Sequence, residues 1–235
     1  MLDSISSIEY PEFLRNRMIT TSKRIAISKT ARYYIMGKPS AKINSVWFVL
    51  HGYGQLAEDF IKIFEPIKNE TTLIIAPEAL NKFYIKGFSG KVGSAWMTKE
   101  DRENEIKDYV NYLDSVYEDV IKFGLLSKTK ITVLGFSQGT AAACRWISKG
   151  KSKVDRLILW GGSVPPDVEL LSSKDLLNSI NLTIIVGDKD EFISAEQIEN
   201  EEQRLRKNDI KHSLVIFDGK HAIQKETLLK ISEGC

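Results

Sequence analysis

The chain has 235 residues, of which 43% are hydrophobic and 27% charged, inside the range of ordinary globular proteins and outside that of disordered or membrane chains. Its 33 lysines and arginines nearly balance 31 acids, so the net charge of +2 gives no electrostatic case for a nucleic-acid partner. No stretch approaches the roughly 20 apolar residues of a membrane span. At this length we expect a single domain over residues 1–235.

The first ten residues and the cysteines carry no further signal. MLDSISSIEY contains an early acid and lacks the apolar core of a signal peptide, so we expect a cytoplasmic protein. Cys144 and Cys235 are too few for a disulfide framework, and neither lies in a metal-like cluster with histidine. We expect both cysteines to be without function, Cys144 being a small core residue in a helix. We expect no cofactor and no metal.

The first third of the chain alternates between strand and helix patterns. Residues 24–29 and 31–36 predict two short antiparallel strands joined by a turn. The run SVWFVL over 45–50 is almost continuously apolar, as in a strand buried on both faces of a parallel sheet. Helical spacing follows over 57–67, and then a strand over 72–76. The glycine- and aromatic-rich stretch 77–97 has no clear period and predicts a long loop.

The remaining patterns continue the alternation to the end of the chain. From Thr98, several acidic residues precede the clearest run of apolar residues at helical spacing, which predicts a helix that ends near Gly124. The other expected strands lie over 130–135, 155–160, 182–187 and 212–217. The other expected helices are one that opens with the segment 135–139 and runs to Gly150, one near 194–207, and one that begins at about Ala222. Such alternation predicts an α/β fold with a single, mostly parallel central sheet and helices on both faces.

Between the strand over 130–135 and the following helix stands a G-x-S-x-G motif, formed by Gly135, Ser137 and Gly139. In a nucleophile elbow the serine lies on a sharp, strained turn, where flanking side chains would collide with the neighbouring strand and helix. The alternative is a plain strand-to-helix turn. The placement between strand and helix favours the elbow and predicts Ser137 as a nucleophile.

A serine nucleophile needs a base, and the chain offers three histidines. His51 precedes the elbow, opposite to the usual chain order, and is interpreted as a loop-shaping residue. His212 lies at the start of a predicted strand, which indicates an edge or surface position. His221 follows the last strand at the carboxyl edge of the sheet, where ligands bind in open α/β folds, and is the predicted base.

The base in turn needs an acid between Ser137 and His221 in the chain. Three acids follow the strand LTIIVG, namely Asp188, Asp190 and Glu191. Asp188 comes directly after the strand, where an aspartate usually caps the turn. We favour Asp190 because it reaches beyond the strand end, with Asp188 the main alternative and Glu191 the third.

Hydrolysis builds negative charge on a carbonyl oxygen, which backbone N–H groups stabilise. The N–H of Gln138, directly after the nucleophile, is one predicted donor. The other is the N–H of Tyr53, in the HGYG loop that follows an early strand. Phe88 and Trp96 are candidates for an acyl pocket, with the alternative that they only pack their loop onto the sheet.

With the segments LHGYG, APEAL, GFSQG, VGDKDEF and DGKH, the chain resembles the phospholipase/carboxylesterase group of α/β-hydrolases, which includes acyl-protein thioesterases and small bacterial carboxylesterases. The resemblance runs from about Val46 to His221. It implies the α/β-hydrolase fold without a large lid domain, Ser137, Asp190 and His221 as a triad, and no metal or organic cofactor. Gln55, Thr140 and Glu191 depart from the group's usual residues at their positions.

These patterns predict a serine carboxylesterase that acts on an ester of small to moderate size through an acyl-enzyme. The same residues suit a thioesterase, a lysophospholipase or a peptidase. The expected partner is a small-molecule ester or thioester substrate. A hydrolase-shaped binding protein without activity is the alternative of another class, and scattered histidines argue against a metal hydrolase.

Overall fold

The structure is a computed structural model that describes residues 21–123 and 128–233. The chain divides into two units, Met1–Thr30 and Ala31–Cys235. In the first unit the described residues 21–30 are exposed and form no helix or strand, so the prediction of a strand over 24–29 is wrong. Ile25 and Ile27 have the alternation of a strand, but 88% and 81% of their surface is exposed. A strand also needs a partner and a buried face, which alternation does not supply.

The second unit is built on a seven-stranded sheet, whose strands are β1 (Tyr33–Met36), β2 (Ser45–Leu50), β3 (Thr72–Pro77), β6 (Lys130–Phe136), β7 (Arg156–Trp160), β8 (Asn181–Gly187) and β9 (Ser213–Phe217). Their spatial order is β1-β3-β2-β6-β7-β8-β9. The edge strand β1 runs antiparallel to β3, and the other neighbouring pairs are parallel. The mostly parallel sheet is therefore confirmed.

Helices cover both faces of this sheet, and each face has its own apolar core. The helices are α1 (Ala57–Phe60), continued by a 3-10 helix (Ile61–Ile67), α2 (Arg102–Ile121), α3 (Gln138–Lys149), α4 (Lys174–Ser179), α5 (Ala195–Lys207) and α6 (Lys225–Ser232). On one face, helices α2 and α3 pack against the side chains of Val46, Phe48 and Leu50. On the other, α1, the 3-10 helix and α6 pack against Trp47 and Val49. Burial on both faces explains the unbroken apolar run of β2.

The stretch predicted as a long loop instead contains a hairpin. Strands β4 (Asn81–Tyr84) and β5 (Val92–Ala95) pair antiparallel in a separate two-stranded sheet. The short helix α4 was also missed, in a stretch treated as loop. The predicted helix end near Gly124 and the position of Cys235 lie outside the described residues. None of the helices in the described ranges combines the length and apolar character needed to cross a bilayer.

Asp167 ties the segment after β7 to two helices. Its carboxylate accepts two hydrogen bonds from Arg145 of α3, at 2.9 and 2.8 Å, and lies 2.6 Å from Arg102 Nη2 of α2. The Arg145 side chain is 7% exposed and the Asp167 side chain 26%. The hydrogen bonds from Arg145, and then from Arg102, hold the pKa of Asp167 well below its usual range, although burial opposes the shift.

Replacing Asp167 by Asn is expected to lower the free energy of unfolding by about 2–3 kcal/mol at pH 7, because it leaves Arg145 buried without its counter-charge. A lowered pKa in the folded state stabilises the protein above the unfolded pKa and is lost on acidification. The difference between wild type and variant should therefore shrink as the pH falls below about 4. Urea unfolding at several pH values measures this. Asp59→Asn, which removes an exposed pair with Lys62, is the control and should change stability little.

Candidate active site

Ser137 lies on a strained turn between strand β6 and helix α3. Its backbone has φ 54° and ψ −118°, a region that residues other than glycine rarely adopt. Its N–H donates to Trp160 O at 2.9 Å, and its carbonyl accepts from the N–H and the Oγ1 of Thr140, at 3.0 and 2.7 Å. These bonds hold the turn in place on both sides. Backbone strain of this kind is typical of functional positions.

The two flanking glycines are required by close backbone contacts. A Cβ on Gly135 would lie 2.3 Å from Gly139 O, and a Cβ on Gly139 would lie 2.2 Å from Leu50 O. Both distances are far shorter than a van der Waals contact, and the neighbouring atoms belong to backbone. These contacts leave no room for a side chain on either side of Ser137, which is the reason why a nucleophile elbow has the pattern G-x-S-x-G.

His221 and Asp190 form a hydrogen-bonded pair. His221 Nδ1 lies 2.7 Å from Asp190 Oδ2, and the side chains are 12% and 1% exposed. Asp190 Oδ1 accepts the N–H groups of Phe192 and Ile193, at 2.9 and 3.2 Å, which fixes the carboxylate. A carboxylate partner places a hydrogen on Nδ1 and leaves Nε2 of the neutral ring as an acceptor. The rings of Phe136 and Phe192 lie 5.0 and 4.8 Å from the imidazole.

The other two acids make different contacts. Asp188 Oδ1 accepts the N–H of Gly219 at 2.9 Å, the turn-capping role considered for it. Glu191 Oε2 lies 3.4 Å from the backbone N–H of His221. Of the three alternatives, Asp190 is the acid that contacts the imidazole ring in this structure.

The HGYG loop lies directly against Ser137. A Cβ on Gly52 would be 3.2 Å from Ser137 Cβ. The N–H of Gly52 donates to Gln55 Oε1 at 2.7 Å, and the N–H of Gly54 donates to Ser94 O at 2.9 Å. Among the described residues no acceptor is found for the N–H of Tyr53. The N–H of Gln138 is the first of helix α3 and has no partner within the helix.

His51 is a buried residue that shapes this loop. Its Nε2 accepts the N–H of Ala79 at 3.1 Å, so the hydrogen of the neutral ring is on Nδ1, which donates to Gly52 O at 2.8 Å. Burial lowers the pKa of His51, which keeps the ring neutral. Its carbonyl accepts the Trp96 indole N–H at 2.8 Å. Both ring nitrogens are therefore occupied by backbone groups.

Trp96 and Phe88 are not among the residues that line the cavity that opens beside Ser137 and His221. Trp96 is 1% exposed and packs edge-on against Tyr109, whereas Phe88 is 98% exposed. Sequence reasoning also missed the Gln138 side chain, which accepts the N–H of Trp96 and donates to Met97 O, both at 2.9 Å. These two bonds join the elbow to the chain after β5.

A cavity of about 320 Å³ opens beside Ser137 and His221. Gly161, which has φ +64°, lines it, and a Cβ there would be 2.9 Å from His221 Cε1. The remaining lining residues come from the segment after β7, strands β8 and β9, and the region of α5: Gly162, Ser163, Ile184, Val186, Phe192, Ile193, Gln197, Ile198, Glu201, Glu202 and Leu214. No cluster of three or more potential metal-binding His, Cys, Asp or Glu residues occurs in residues 21–123 or 128–233.

Solved structures with the same fold include several ester hydrolases. The crystal structure of esterase PE8 aligns with a TM-score of 0.66 and 21% identity, over 88% of this chain and 98% of that one. Zea mays acyl-protein thioesterase 2 aligns with a TM-score of 0.67 and 15% identity, over 87% of this chain and 97% of that one. The Bacillus cereus carboxylesterase aligns with a TM-score of 0.63 and 15% identity, over 87% of this chain and 92% of that one. At these identities the likeness concerns the fold, which is that of an α/β-hydrolase.

The amino-acid sequence itself identifies the family. A search of curated protein sequences gives no match. The sequence profile of the phospholipase/carboxylesterase family, in contrast, matches residues 33–234, which is most of the chain and includes every residue of the site described above. The chain therefore belongs to the phospholipase/carboxylesterase family of α/β-hydrolases.

Proposed function

We propose that the protein is a serine carboxylesterase that cleaves esters of small to moderate size through an acyl-enzyme. Ser137 is the nucleophile, His221 the general base and acid, and Asp190 the acid that orients His221. The observation that carries the proposal is the 2.7 Å contact between Asp190 and His221, whose side chain lines the same cavity as Ser137. The family assignment supports hydrolysis of esters as the reaction.

The proposed reaction has two halves. Ser137 Oγ attacks the carbonyl carbon while its proton passes to His221 Nε2, and the oxyanion is bound by the N–H groups of Tyr53 and Gln138. The intermediate collapses, the alkoxide leaves with the proton from His221, and the acyl group stays on Ser137. A water molecule then gives its proton to His221 and attacks the acyl carbon. Collapse of the second intermediate releases the carboxylic acid and returns the proton to Ser137.

The second candidate function is hydrolysis of a thioester by the same residues. The fold likeness to the maize acyl-protein thioesterase supports it. An oxyanion hole and a triad treat oxygen and sulfur leaving groups alike, so the geometry described above is equally suited to both. The expected substrate partner is thus a small-molecule ester or thioester.

Labelling with a fluorophosphonate tests the nucleophile directly. The folded wild-type protein should become labelled, and peptide mass spectrometry should locate the adduct on Ser137, because only an activated serine reacts readily. Heat-denatured protein is the control and should remain unlabelled. p-Nitrophenyl esters and acyl thioesters of increasing chain length then separate the two functions. A folded protein that neither takes the label nor turns over any substrate would instead favour the binding-protein alternative.

A further inference from the structure

The cavity beside Ser137 continues into the molecule between helix α5 and the sheet. It is lined by Ser137 and His221 at the carboxyl edge of the sheet, and also by Leu214 near the start of β9. Leu214 pairs with Ile184 of β8, three residues before Phe217, the last residue of β9. A strand advances about 3.3 Å per residue, so Leu214 lies about 10 Å below the edge. We call this space the α5 cavity.

Apolar side chains form much of the wall of the α5 cavity. They belong to strands β8 and β9 and to the region of α5: Ile184, Val186, Phe192, Ile193, Ile198 and Leu214. Ile193, Ile198 and Leu214 pack against the core but are only partly buried. Protein interiors are normally close-packed, with few voids larger than a water molecule. A space of about 320 Å³ between a helix and a sheet is therefore an exception, and it is as large as the smaller ligand sites of proteins.

The two glutamates that line the α5 cavity are paired with cations. Glu201 accepts hydrogen bonds from Arg204 on both of its oxygens, at 2.8 and 3.0 Å. Glu202 forms an ion pair with Arg206. Among the described residues that line the cavity there is no lysine or arginine. A charged substrate group would therefore lose its hydration without gaining a new ion pair, whereas an uncharged apolar chain avoids this cost.

A buried histidine holds Glu202 in place. His212 Nδ1 lies 2.9 Å from Ile210 O, which can only accept, so Nδ1 carries a hydrogen. His212 Nε2 lies 2.6 Å from Glu202 Oε1, and the two side chains are 6% and 18% exposed. Two acceptors do not meet at this distance without a hydrogen, so the pair shares a proton. His212 thus supports the cavity wall and is not the edge or surface residue that its sequence position indicated.

We propose that the α5 cavity binds an unbranched, uncharged apolar chain of the ester, and that Leu214, at the deep end, limits this chain to about eight carbons. This inference rests on the proposed function, because the chain belongs to the molecule that Ser137 attacks. The three backbone bonds of a strand residue span about 3.3 Å, or about 1.1 Å per bond, so a depth of about 10 Å takes about eight or nine bonds of an extended chain. The bound chain also removes the partly buried side chains of Ile198 and Leu214 from water, which favours an apolar occupant.

The wild-type protein tests the proposal with two panels of esters, each used below its critical micelle concentration. The first contains p-nitrophenyl esters of unbranched acids from acetate to tetradecanoate, and the second contains acetates of unbranched alcohols of the same lengths. We expect kcat/KM to rise by up to about fourfold per added CH₂ and to reach a maximum at about eight carbons in at least one panel. The panel with the maximum tells whether the acid or the alcohol occupies the α5 cavity. Rates that do not depend on length in either panel, or that are highest for the shortest chain, would overturn the proposal.

The end group is then varied on the chain that shows the maximum. Chains of equal length end in a methyl, an ammonium or a carboxylate group, as in the p-nitrophenyl esters of heptanoate, 6-aminohexanoate and pimelate. The methyl-ended chain should have a kcat/KM about tenfold or more above both charged chains, because neither charge finds a new partner in the cavity. A preference for either charged chain would contradict an uncharged occupant.

Substitution of Leu214 assigns the length limit to a residue. Leu214→Trp fills the deep end, so the ratio of kcat/KM for the eight-carbon chain to that for the four-carbon chain should fall by about tenfold or more. Leu214→Ala should move the maximum to longer chains. Ile198→Trp narrows the cavity from the helix side and should lower the same ratio, so it carries the test if Leu214→Trp does not fold.

Gln203→Trp is the matched control, because Gln203 is exposed on the opposite face of α5 and bonds to Glu199 of the same helix. It should keep the wild-type ratio and the wild-type maximum. Circular dichroism and melting temperature show which variants are folded. Folded Leu214→Trp and Ile198→Trp proteins that both keep the wild-type length profile would show that the chain does not bind in the α5 cavity.

The two proposals fail in different ways. If p-nitrophenyl acetate is hydrolysed and Ser137 is labelled, but chain length has no effect, the inference about the α5 cavity is wrong and the esterase function stands. If the folded protein neither hydrolyses any ester of either panel nor takes the label, the esterase function is wrong, and the inference about the α5 cavity falls with it.

Discussion

Replacing Ser137 by alanine is expected to lower kcat/KM for p-nitrophenyl butyrate by about 10⁴- to 10⁶-fold, because the acyl-enzyme cannot form without the Oγ nucleophile. A small residual rate over water should remain, since the N–H groups of Tyr53 and Gln138 still bind the oxyanion. The fold should be retained. Alanine removes only the hydroxyl, and the backbone bonds from the Ser137 N–H to Trp160 and from Thr140 to the Ser137 carbonyl do not depend on it.

Initial rates at equal protein concentration measure this effect, with melting temperature as the check on folding. Ser115→Ala is the control, because Ser115 is an exposed serine of helix α2 that bonds only to the preceding turn. It should retain wild-type activity and labelling. A Ser137→Ala protein that is folded and still hydrolyses the ester at more than a few per cent of the wild-type rate would rule out Ser137 as the nucleophile.

The second large effect is expected from Asp190→Asn, with a loss of about 10⁴-fold in kcat. The asparagine amide can donate to Nδ1 of His221, which would place the ring hydrogen on Nε2 and leave no acceptor for the Ser137 proton. It also removes the negative charge that stabilises the imidazolium. Asparagine keeps an oxygen for the N–H groups of Phe192 and Ile193, so the loop should hold its shape.

Asp188→Asn and Glu191→Gln distinguish Asp190 from its two neighbours. Asp188 bonds the N–H of Gly219, which an amide oxygen also accepts, and Glu191 approaches a backbone N–H at 3.4 Å. Each of these variants should keep kcat within about tenfold of wild type, because neither carboxylate contacts the imidazole. If Asp188→Asn loses as much activity as Asp190→Asn, the acid has been assigned to the wrong residue.

The sequence predicts those parts of the site whose residues lie close together in the chain or follow a regular pattern. The elbow depends on residues within five positions of one another, so the glycines around Ser137 are visible in the sequence. The contact between Asp190 and His221 spans 31 positions. It was predictable because both residues follow parallel strands, whose carboxyl ends meet at one edge of the sheet. The buried strands were predicted for a similar reason, since each has a continuous apolar run.

The features that were missed depend on packing between distant segments. Strand β4 alternates half-buried and exposed residues without a strong apolar pattern, and three of the four residues of β5 are the small residues Gly93, Ser94 and Ala95. The two strands pair across residues 85–91. The cavity beside Ser137 is likewise formed by the packing of α5 near β8 and β9, which the sequence alone does not show. Nothing in the charged sequence of α5 indicates that Glu202 is supported by His212, ten positions later. Trp96 was considered for substrate binding because an aromatic residue in a loop-like stretch gives no sign of its burial.

The side chain of Gln138 gives the hairpin an influence on the chemistry. One residue supplies the proposed oxyanion N–H from its backbone and, through its amide, is bonded to Trp96 and Met97 directly after β5. A displacement of that segment would therefore act, through these two hydrogen bonds, on the residue that carries the proposed oxyanion donor. A substitution in the hairpin that moves this segment is therefore expected to change the rate of the proposed reaction without altering Ser137, Asp190 or His221.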